Sequence, residues 1–482
     1  MNQAIRNTWM AVMLMFLLAL GALSYVQFFA AGDLNDNALN RRPLYKEFDL
    51  PRGAILADGK PIAESVPTTE GQFDYQRVYN DPELYAHLTG FYSLTFGSRQ
   101  LESAMNKELT GQSDDQWLDR IKNLFSGQAT QGASVETTID PRLQKVAYDL
   151  IPNGVQGTII VSEPKTGNIL AMVSKPSYDT NLMAVQSSKR ANENMNKLLD
   201  VPGLNINVNP AVGHLIPPGS TFKIFDIVAG LESGKYNADT VMKNPARIKL
   251  PGSTATLGNF YGGNCAAKTE ATLAWIVANS CNTPFVSMSQ DLGAEAFRKV
   301  TTNFGFGQQL NIPVKVTPSV FPAELTGSQL AQSVIGQFDV KVTPLQMNMA
   351  AMGIANGGVI MEPNLVKQVM APDLRVLSTT KPKVLGTATS PEIAAQVTDL
   401  MRGPVQYGTA RSAAIPGLDI AAKTGTSQIG NTDLVNSWIT GFAPADDPQV
   451  AVTIVMEKID FKTGSSLTSP NLKKILEAVF NQ

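Results

Sequence analysis

The sequence predicts an α+β protein: an antiparallel sheet flanked by helices with a helical lobe, preceded by a small α+β pedestal and one transmembrane helix. Three observations predict it. Strand-like stretches occur early (Gly157–Ser174) and again late (Asn436–Pro444 and Val450–Glu457), and the chain between them reads as mostly helical. One sheet must then be closed by distant segments around an inserted helical lobe. An apolar run without a single charge separates Arg6 from Asp33. Finally, 482 residues that are 43% hydrophobic and 17% charged allow a large core and two or three domains.

The same composition excludes several functions. With 39 basic and 41 acidic residues the net charge is −2, so nothing calls for nucleic acid as a partner. The chain has two histidines, His87 and His214, and two cysteines, Cys265 and Cys281, and no CxxC or HExxH spacing. No metal site or cofactor is therefore expected. No GxxxxGK[ST], and no GxGxxG following a strand, supports nucleotide chemistry. Acyl transfer or hydrolysis would have to lean on Lys, Ser, Asp or Glu.

Along the chain, residues 1–32 read as a short tail and a membrane anchor. About 20 apolar residues span a bilayer, and a signal peptide's apolar region is only about 7–15. The run also ends in Tyr25, Phe28 and Phe29, which suit a membrane interface. Arg6 before it and Arg41, Arg42 and Lys46 after it leave the orientation open. Residues 33–134 read as the pedestal. Within it Pro51–Glu64 predicts strand, Asp58-Gly59 turn, strand, and an amphipathic helical stretch follows over about residues 80–125. Residues 135–482 form the third unit. It starts with a strand and an Asp140-Pro141 helix entry, then a hairpin turning at Pro164–Asn168.

Three short motifs carry candidate chemistry. Ser220-Thr221-Phe222-Lys223 follows Pro217-Pro218-Gly219 and opens an apolar helical run, which puts Lys223 one turn from Ser220 on the same face. A lysine whose pKa is lowered can deprotonate a serine, and a helix N-terminus supplies donors for the developing oxyanion. Alone, this is equally an N-cap serine beside a surface lysine. Ser280-Cys281-Asn282 alone is an ordinary polar turn ending a helix. Lys-Thr-Gly occurs at Lys165, Lys423 and Lys462. Lys165 sits in the hairpin turn, and Lys462 sits in a polar stretch, KTGSSLTSP, that reads as loop. Only Lys423 continues an alternating strand, where Thr424 and Thr426 share a side and Gly425 admits close approach of a backbone or a ligand.

Taken in order, Ser220-x-x-Lys223, Ser280-x-Asn282 and Lys423-Thr424-Gly425-Thr426 form the signature of serine acyl-enzymes acting on D-alanyl peptides and β-lactams. With these residues the sequence resembles the class B penicillin-binding proteins, membrane-anchored peptidoglycan D,D-transpeptidases. RGAILADGKPIA and FGSRQLESAMNKELTG resemble their N-terminal module. TTIDPRLQ, EPKTGNILAMVSKPSYD, IGQFDVKVTPLQMNMAAMGIANGG, QYGTA and SWITGFAP resemble their catalytic domain. Departures at Phe338 and Ala422, where glycine is usual, and at Ile216 remove no catalytic group.

The resemblance implies a penicillin-binding transpeptidase fold and a role for each residue. Ser220 would be the nucleophile and Lys223 its general base. Ser280 would relay a proton to the leaving group, helped by Lys423, whose charge would also hold Lys223 neutral. Asn282 would hold Lys223 and the substrate amide. Thr424, Gly425 and Thr426 would bind the substrate, the two threonines at its terminal carboxylate, and the N–H groups of Ser220 and Thr426 would form the oxyanion hole. Implied partners are stem peptides ending in D-Ala-D-Ala, β-lactams and a SEDS-family glycan polymerase in the membrane. Such a substrate lies outside the membrane, so the N-terminus would be cytoplasmic and the catalytic domain extracytoplasmic. A D,D-carboxypeptidase or β-lactam hydrolase, and a non-catalytic wall-binding or sensor protein of the same fold, are the alternatives. In that compartment Cys265 and Cys281 either pair, with the loop after Gly263 folding back past a helix at Ala271–Ala278, or remain buried thiols.

Overall fold

The computed structural model describes residues 2–30, 34, 45, 47–69, 72–126, 131–260 and 264–480. Arg41, Arg42 and Lys46 lie outside them. Helix α1 (Asn2–Ser24) runs into a wider π turn, Tyr25–Phe29. The stretch Gln3–Phe29 is long and apolar enough to cross a membrane, with mean hydropathy 2.1 and none of it buried in the protein.

The predicted Asp58-Gly59 turn joins β1 (Ile55–Ala57) to β2 (Lys60–Pro67), with both turn residues at positive φ. Strand β3 (Tyr75–Tyr79) and helix α2 (Pro82–Thr89) follow. The stretch expected to be helical over 80–125 is broken: Gly90 ends α2 at φ 65°, and a small hairpin, Tyr92–Ser93 with Gly97–Ser98, intervenes. The two segments RGAI and RQLESAM meet in a buried ion triad. Arg52 Nε and Arg77 Nε each lie 2.6 Å from a carboxylate oxygen of Glu102, and Tyr79 OH adds a bond at 3.1 Å. Burial pushes the Glu102 carboxyl upward, but the two guanidiniums override it and hold it below the usual carboxylate value.

β4 (Ser134–Thr137) pairs parallel with β1, and helix α3 (Pro141–Asp149) starts at Asp140, whose side chain caps it as predicted. The hairpin is β5 (Gln156–Ser162) and β6 (Ile169–Lys175). The helical lobe includes α4 (Lys223–Glu232), α5 (Leu273–Asn279), α6 (Thr283–Leu292) and α7 (Pro344–Ala355). After it come β7 (Val366–Met370), β8 (Val376–Thr379) and α8 (Pro391–Gln406). The chain then forms β9 (Ala421–Gln428), β10 (Leu434–Ala443), β11 (Val450–Asp460) and α9 (Phe461–Phe480).

Two sheets result. The central one has the order β9-β10-β11-β5-β6, so early and late segments close one antiparallel sheet as the sequence implied. Helices α3 and α9 pack with one apolar face of it, and α7 packs on the other. The second sheet, β8-β7-β4-β1-β2-β3, ties the pedestal strands to β7 and β8 from far along the chain. The sequence offered no sign of that pairing.

A second expectation is corrected. KTGSSLTSP is not loop but the start of α9. Asp460 Oδ1 caps it by accepting from Thr463 N at 3.0 Å. Ser466 and Thr468 turn their hydroxyls back onto carbonyls three residues earlier, which satisfies them within the helix. Gly464 packs so closely that an added Cβ would sit 2.6 Å from Ser437 Cβ.

Candidate active site

Ser220 lies in a tight 3-10 turn, Gly219–Phe222, that leads directly into α4. Gly219 stands at φ 54°, and an added Cβ there would meet Thr426 O at 2.4 Å. Gly425 is as crowded: its Cβ would fall 2.7 Å from Pro218 O and 2.8 Å from Thr221 N. The close approach that Gly425 permits is therefore that of the serine's own turn. Further along, Ser427 Oγ and Trp438 Nε1 both donate to Pro217 O, at 2.9 and 3.1 Å. The edge strand β9 and the serine turn are thus fixed as one unit.

Lys223 and Lys423 are both completely buried. Lys223 Nζ donates to Ser280 O at 2.8 Å, Cys281 O at 2.9 Å and Asn282 Oδ1 at 2.7 Å. Ser280 ends α5 in the left-handed conformation, φ 59° and ψ 34°, and its carbonyl and that of Cys281 both reach the amine. Burial pushes the Lys223 pKa well below the ordinary lysine value, the Lys423 cation adds to that, and Asp226 one turn on opposes it. The three acceptors match the three protons of an ammonium, the form a lysine takes after accepting a serine's proton. Lys423 Nζ donates to Ser280 Oγ at 2.7 Å and to Thr424 O at 3.0 Å, and burial brings its pKa down to about 7.

The eight predicted site residues thus converge on one cleft. Ser220, Ser280, Asn282, Thr424, Gly425 and Thr426 line a cleft of about 250 Å³, with the two lysines buried beneath. Lys165 and Lys462 are elsewhere: Lys165 forms an exposed ion pair with Asp447, and Lys462 is exposed on α9.

Several residues escaped sequence reasoning. Asn259 Oδ1 accepts from the backbone N–H groups of Asn282 and Thr283, at 2.6 and 3.1 Å, and so orients the start of α6. Asn244 holds Asn259 at 2.9 Å and binds the carbonyls of Cys265 and Lys268. No spacing marks either asparagine. Thr409 lay within QYGTA, a segment quoted for its resemblance but assigned no role, and its Oγ1 is 2.6 Å from Thr424 Oγ1. Phe260 and Phe461 pack with tilted rings, centroids 4.8 Å apart, on the cleft wall. Phe338 sits at φ 58°, the left-handed region, which accounts for glycine being usual there. Cys265 and Cys281 are disulfide-bonded, with Cα atoms 5.6 Å apart.

A serine on a helix-initiating turn, two buried lysines and a hydroxyl-lined edge strand define a serine acyl-enzyme. The sequence profile described as penicillin binding protein transpeptidase domain matches residues 157–477, and that of the penicillin binding protein A dimerisation domain matches residues 52–135. The chain belongs to the penicillin-binding protein transpeptidases. It is similar to the peptidoglycan D,D-transpeptidase PbpA of Mycolicibacterium smegmatis, 39% identical over 98% of this chain and 97% of that one. The protein of the same name from Mycobacterium tuberculosis is 37% identical over 99% of each chain. The ceftriaxone acyl-enzyme complex of M. tuberculosis penicillin-binding protein A superposes with a TM-score of 0.86 at 37% identity, covering 90% of this chain and all of that one. Its penicillin G acyl-enzyme complex gives 0.83, over 89% of this chain and 99% of that one.

Proposed function

We propose that Ser220 is the nucleophile of this peptidoglycan D,D-transpeptidase, with residues 135–482 as its catalytic domain and 33–134 as its pedestal. Ser220 Oγ attacks the carbonyl between the two terminal D-alanines of a stem peptide, and its proton passes to Lys223. The C–N bond breaks, the D-Ala amine leaves with a proton relayed through Ser280, and an acyl-Ser220 ester remains. A second peptide's amine then attacks the ester carbonyl, the C–O bond to Ser220 breaks, the amine's proton returns to Ser220 Oγ, and the new amide is the cross-link. Asn282 orients Lys223 and the substrate amide. Thr424 and Thr426 bind the terminal carboxylate, and the N–H groups of Ser220 and Thr426 receive the oxyanion. A β-lactam enters by the same attack on its strained amide and stays as an ester.

One observation carries this reading: the buried Lys223–Ser280–Lys423 chain, with Lys223 Nζ and Lys423 Nζ on two oxygens of one serine. A surface lysine beside an N-cap serine would have neither the burial nor the partners. The acyl-enzyme complexes of the M. tuberculosis relative support it further. Because the peptide substrate is made available outside the membrane, the catalytic domain faces out and the N-terminus lies in the cytoplasm. A SEDS-family glycan polymerase is the membrane partner in this reading, tested by its co-purification with the full chain.

Intact-mass spectrometry after penicillin G treatment tests the mechanism. The wild type gains one penicilloyl group and Ser220→Ala gains none. An unmodified wild type, or an adduct on Ser220→Ala, overturns it. Turnover of a D-Ala-D-Ala peptide with and without an acceptor amine separates transfer from hydrolysis, and the cross-linked product should dominate when amine is present.

A further inference from the structure

The Gln406–Ala410 turn joins the two halves of the site. Thr409 N donates to Ala278 O at 3.0 Å, at the end of the helix that carries Ser280. Gly408 lies so close to that helix that an added Cβ would be 1.9 Å from the same carbonyl. From this fixed backbone the Thr409 side chain lines the cleft, and its Oγ1 lies 2.6 Å from Thr424 Oγ1. Each hydroxyl has one proton. In a pair this close one proton is used between the two oxygens and the other is left for the cleft.

We propose that Thr409 is a positioning residue for the substrate carboxylate: it donates to Thr424 Oγ1, so that the Thr424 proton points at the anion. This rests on the reading of Thr424 as a carboxylate-binding residue. A neutral cleft leaves either hydroxyl free to donate. An anion at Thr424 and Thr426 selects one direction, Thr409 to Thr424 to carboxylate, because each bond in such a chain polarises the next. The same bond fixes the Thr424 rotamer before the substrate arrives. Thr409 thereby couples the helix end bearing Ser280 to the strand bearing Lys423, at the point where the anion is read.

The test uses the full chain in detergent and two probes, benzylpenicillin with its free carboxylate and its methyl ester. Second-order acylation rates are followed by mass. Thr409→Val, which keeps the backbone N–H bond, should slow acylation by benzylpenicillin by up to roughly tenfold, the upper end of what one hydrogen bond between neutral groups is worth. It should slow the ester far less. Thr409→Ser should restore the rate, and Thr409→Val added to Thr424→Val should cost little more than Thr424→Val alone. If Thr424→Val shows the carboxylate-specific loss and Thr409→Val does not, the proposal is wrong and the carboxylate site stands. Equal slowing of both probes by Thr409→Val makes the residue merely structural and also overturns it. If neither variant distinguishes the probes, the carboxylate reading of Thr424 fails and takes the proposal with it.

Discussion

Lys423 Nζ donates to Ser280 Oγ at 2.7 Å across 143 residues of chain, while Lys223 Nζ reaches the carbonyl of the same serine at 2.8 Å. Ser280 is thus held between two buried amines. Two cations in one dry site oppose each other's charge, so their protons come off as a coupled pair. Lys423 keeps its pKa at about 7, whereas Lys223 is pushed well below the ordinary lysine value by burial and by the Lys423 charge. The Lys423 charge thus helps hold Lys223 in the neutral form that the proposed general-base role needs.

A pH dependence follows. As pH rises through about 7, Lys423 loses its proton and the site loses the cation beside Thr424 and Thr426, the proposed carboxylate ligands. Acylation by benzylpenicillin should fall on that alkaline limb, and Lys423→Ala should lack the limb while being slower throughout. A limb unchanged in Lys423→Ala would assign it to another group. Stability moves the other way. The folded state binds fewer protons than the unfolded chain between about 7 and the ordinary lysine value of 10.5, so this group's contribution to stability rises with pH across that window.

Of the three Lys-Thr-Gly tripeptides, only the one on β9 should matter to chemistry. Lys423→Ala should lower the acylation rate by at least ~100-fold, the scale of losing one preorganised electrostatic donor. Lys165→Ala and Lys462→Ala change exposed side chains and should leave stability within about 0.5 kcal/mol of wild type. Acylation rates and denaturant midpoints of the three variants decide it. Equal damage from Lys462→Ala would mean that the start of α9 takes part in the reaction.

How far the sequence could be read depended on where each signal was stored. The alternating strands around Lys423 and the Asp140-Pro141 helix entry were legible because period and caps are local. The eight candidate site residues were legible because their order along the chain matches the signature of a known family, although each motif alone was weak. The start of α9 was misread because serine and threonine composition suggests loop, while the hydroxyls of Ser466 and Thr468 are bonded back to the helix. Pairing of β4 with β7 joins segments more than two hundred residues apart, and no local pattern encodes it. Asn244, Asn259 and Thr409 act through contacts made only after the chain has folded.

The pedestal should depend on Glu102. Its carboxylate is fully buried between Arg52 and Arg77, and removing it would leave the buried Arg77 guanidinium without its ion-pair partner and Arg52 with only the charge of Glu47. Breaking a buried pair this way costs about 3–5 kcal/mol. Glu102→Gln should therefore lower the pedestal's unfolding free energy by that scale, read from denaturant unfolding. Protein that remains folded should still be acylated at Ser220, because the triad lies in the pedestal core and contributes nothing to the cleft lining. A Glu102→Gln protein as stable as wild type would mean that water or a neighbour already compensates the arginines.

The Cys265–Cys281 bridge should brace the active site as well as the lobe. It closes a sequence separation of 16 residues, and in the chain-entropy model a loop of about 15 contributes ~3 kcal/mol. Its position gives it a second effect. Cys281 stands between Ser280 and Asn282, and its carbonyl is one of the three acceptors around Lys223 Nζ. Cys265 O is held by Asn244, which also orients Asn259 and through it the Asn282 backbone. Freeing the bridge loosens both supports of the lysine cage at once. Cys265→Ser/Cys281→Ser should therefore lose stability on the ~3 kcal/mol scale and slow acylation as well. Single Ser replacements would leave an odd thiol, so the double variant is the clean comparison. Non-reducing peptide mapping of protein exported by its own host checks the premise: one disulfide-linked peptide pair is expected, and two freely alkylatable thiols under denaturing conditions would refute the bridge. A bridged protein whose double variant acylates at the wild-type rate would confine the disulfide to stability and separate it from the lysine cage.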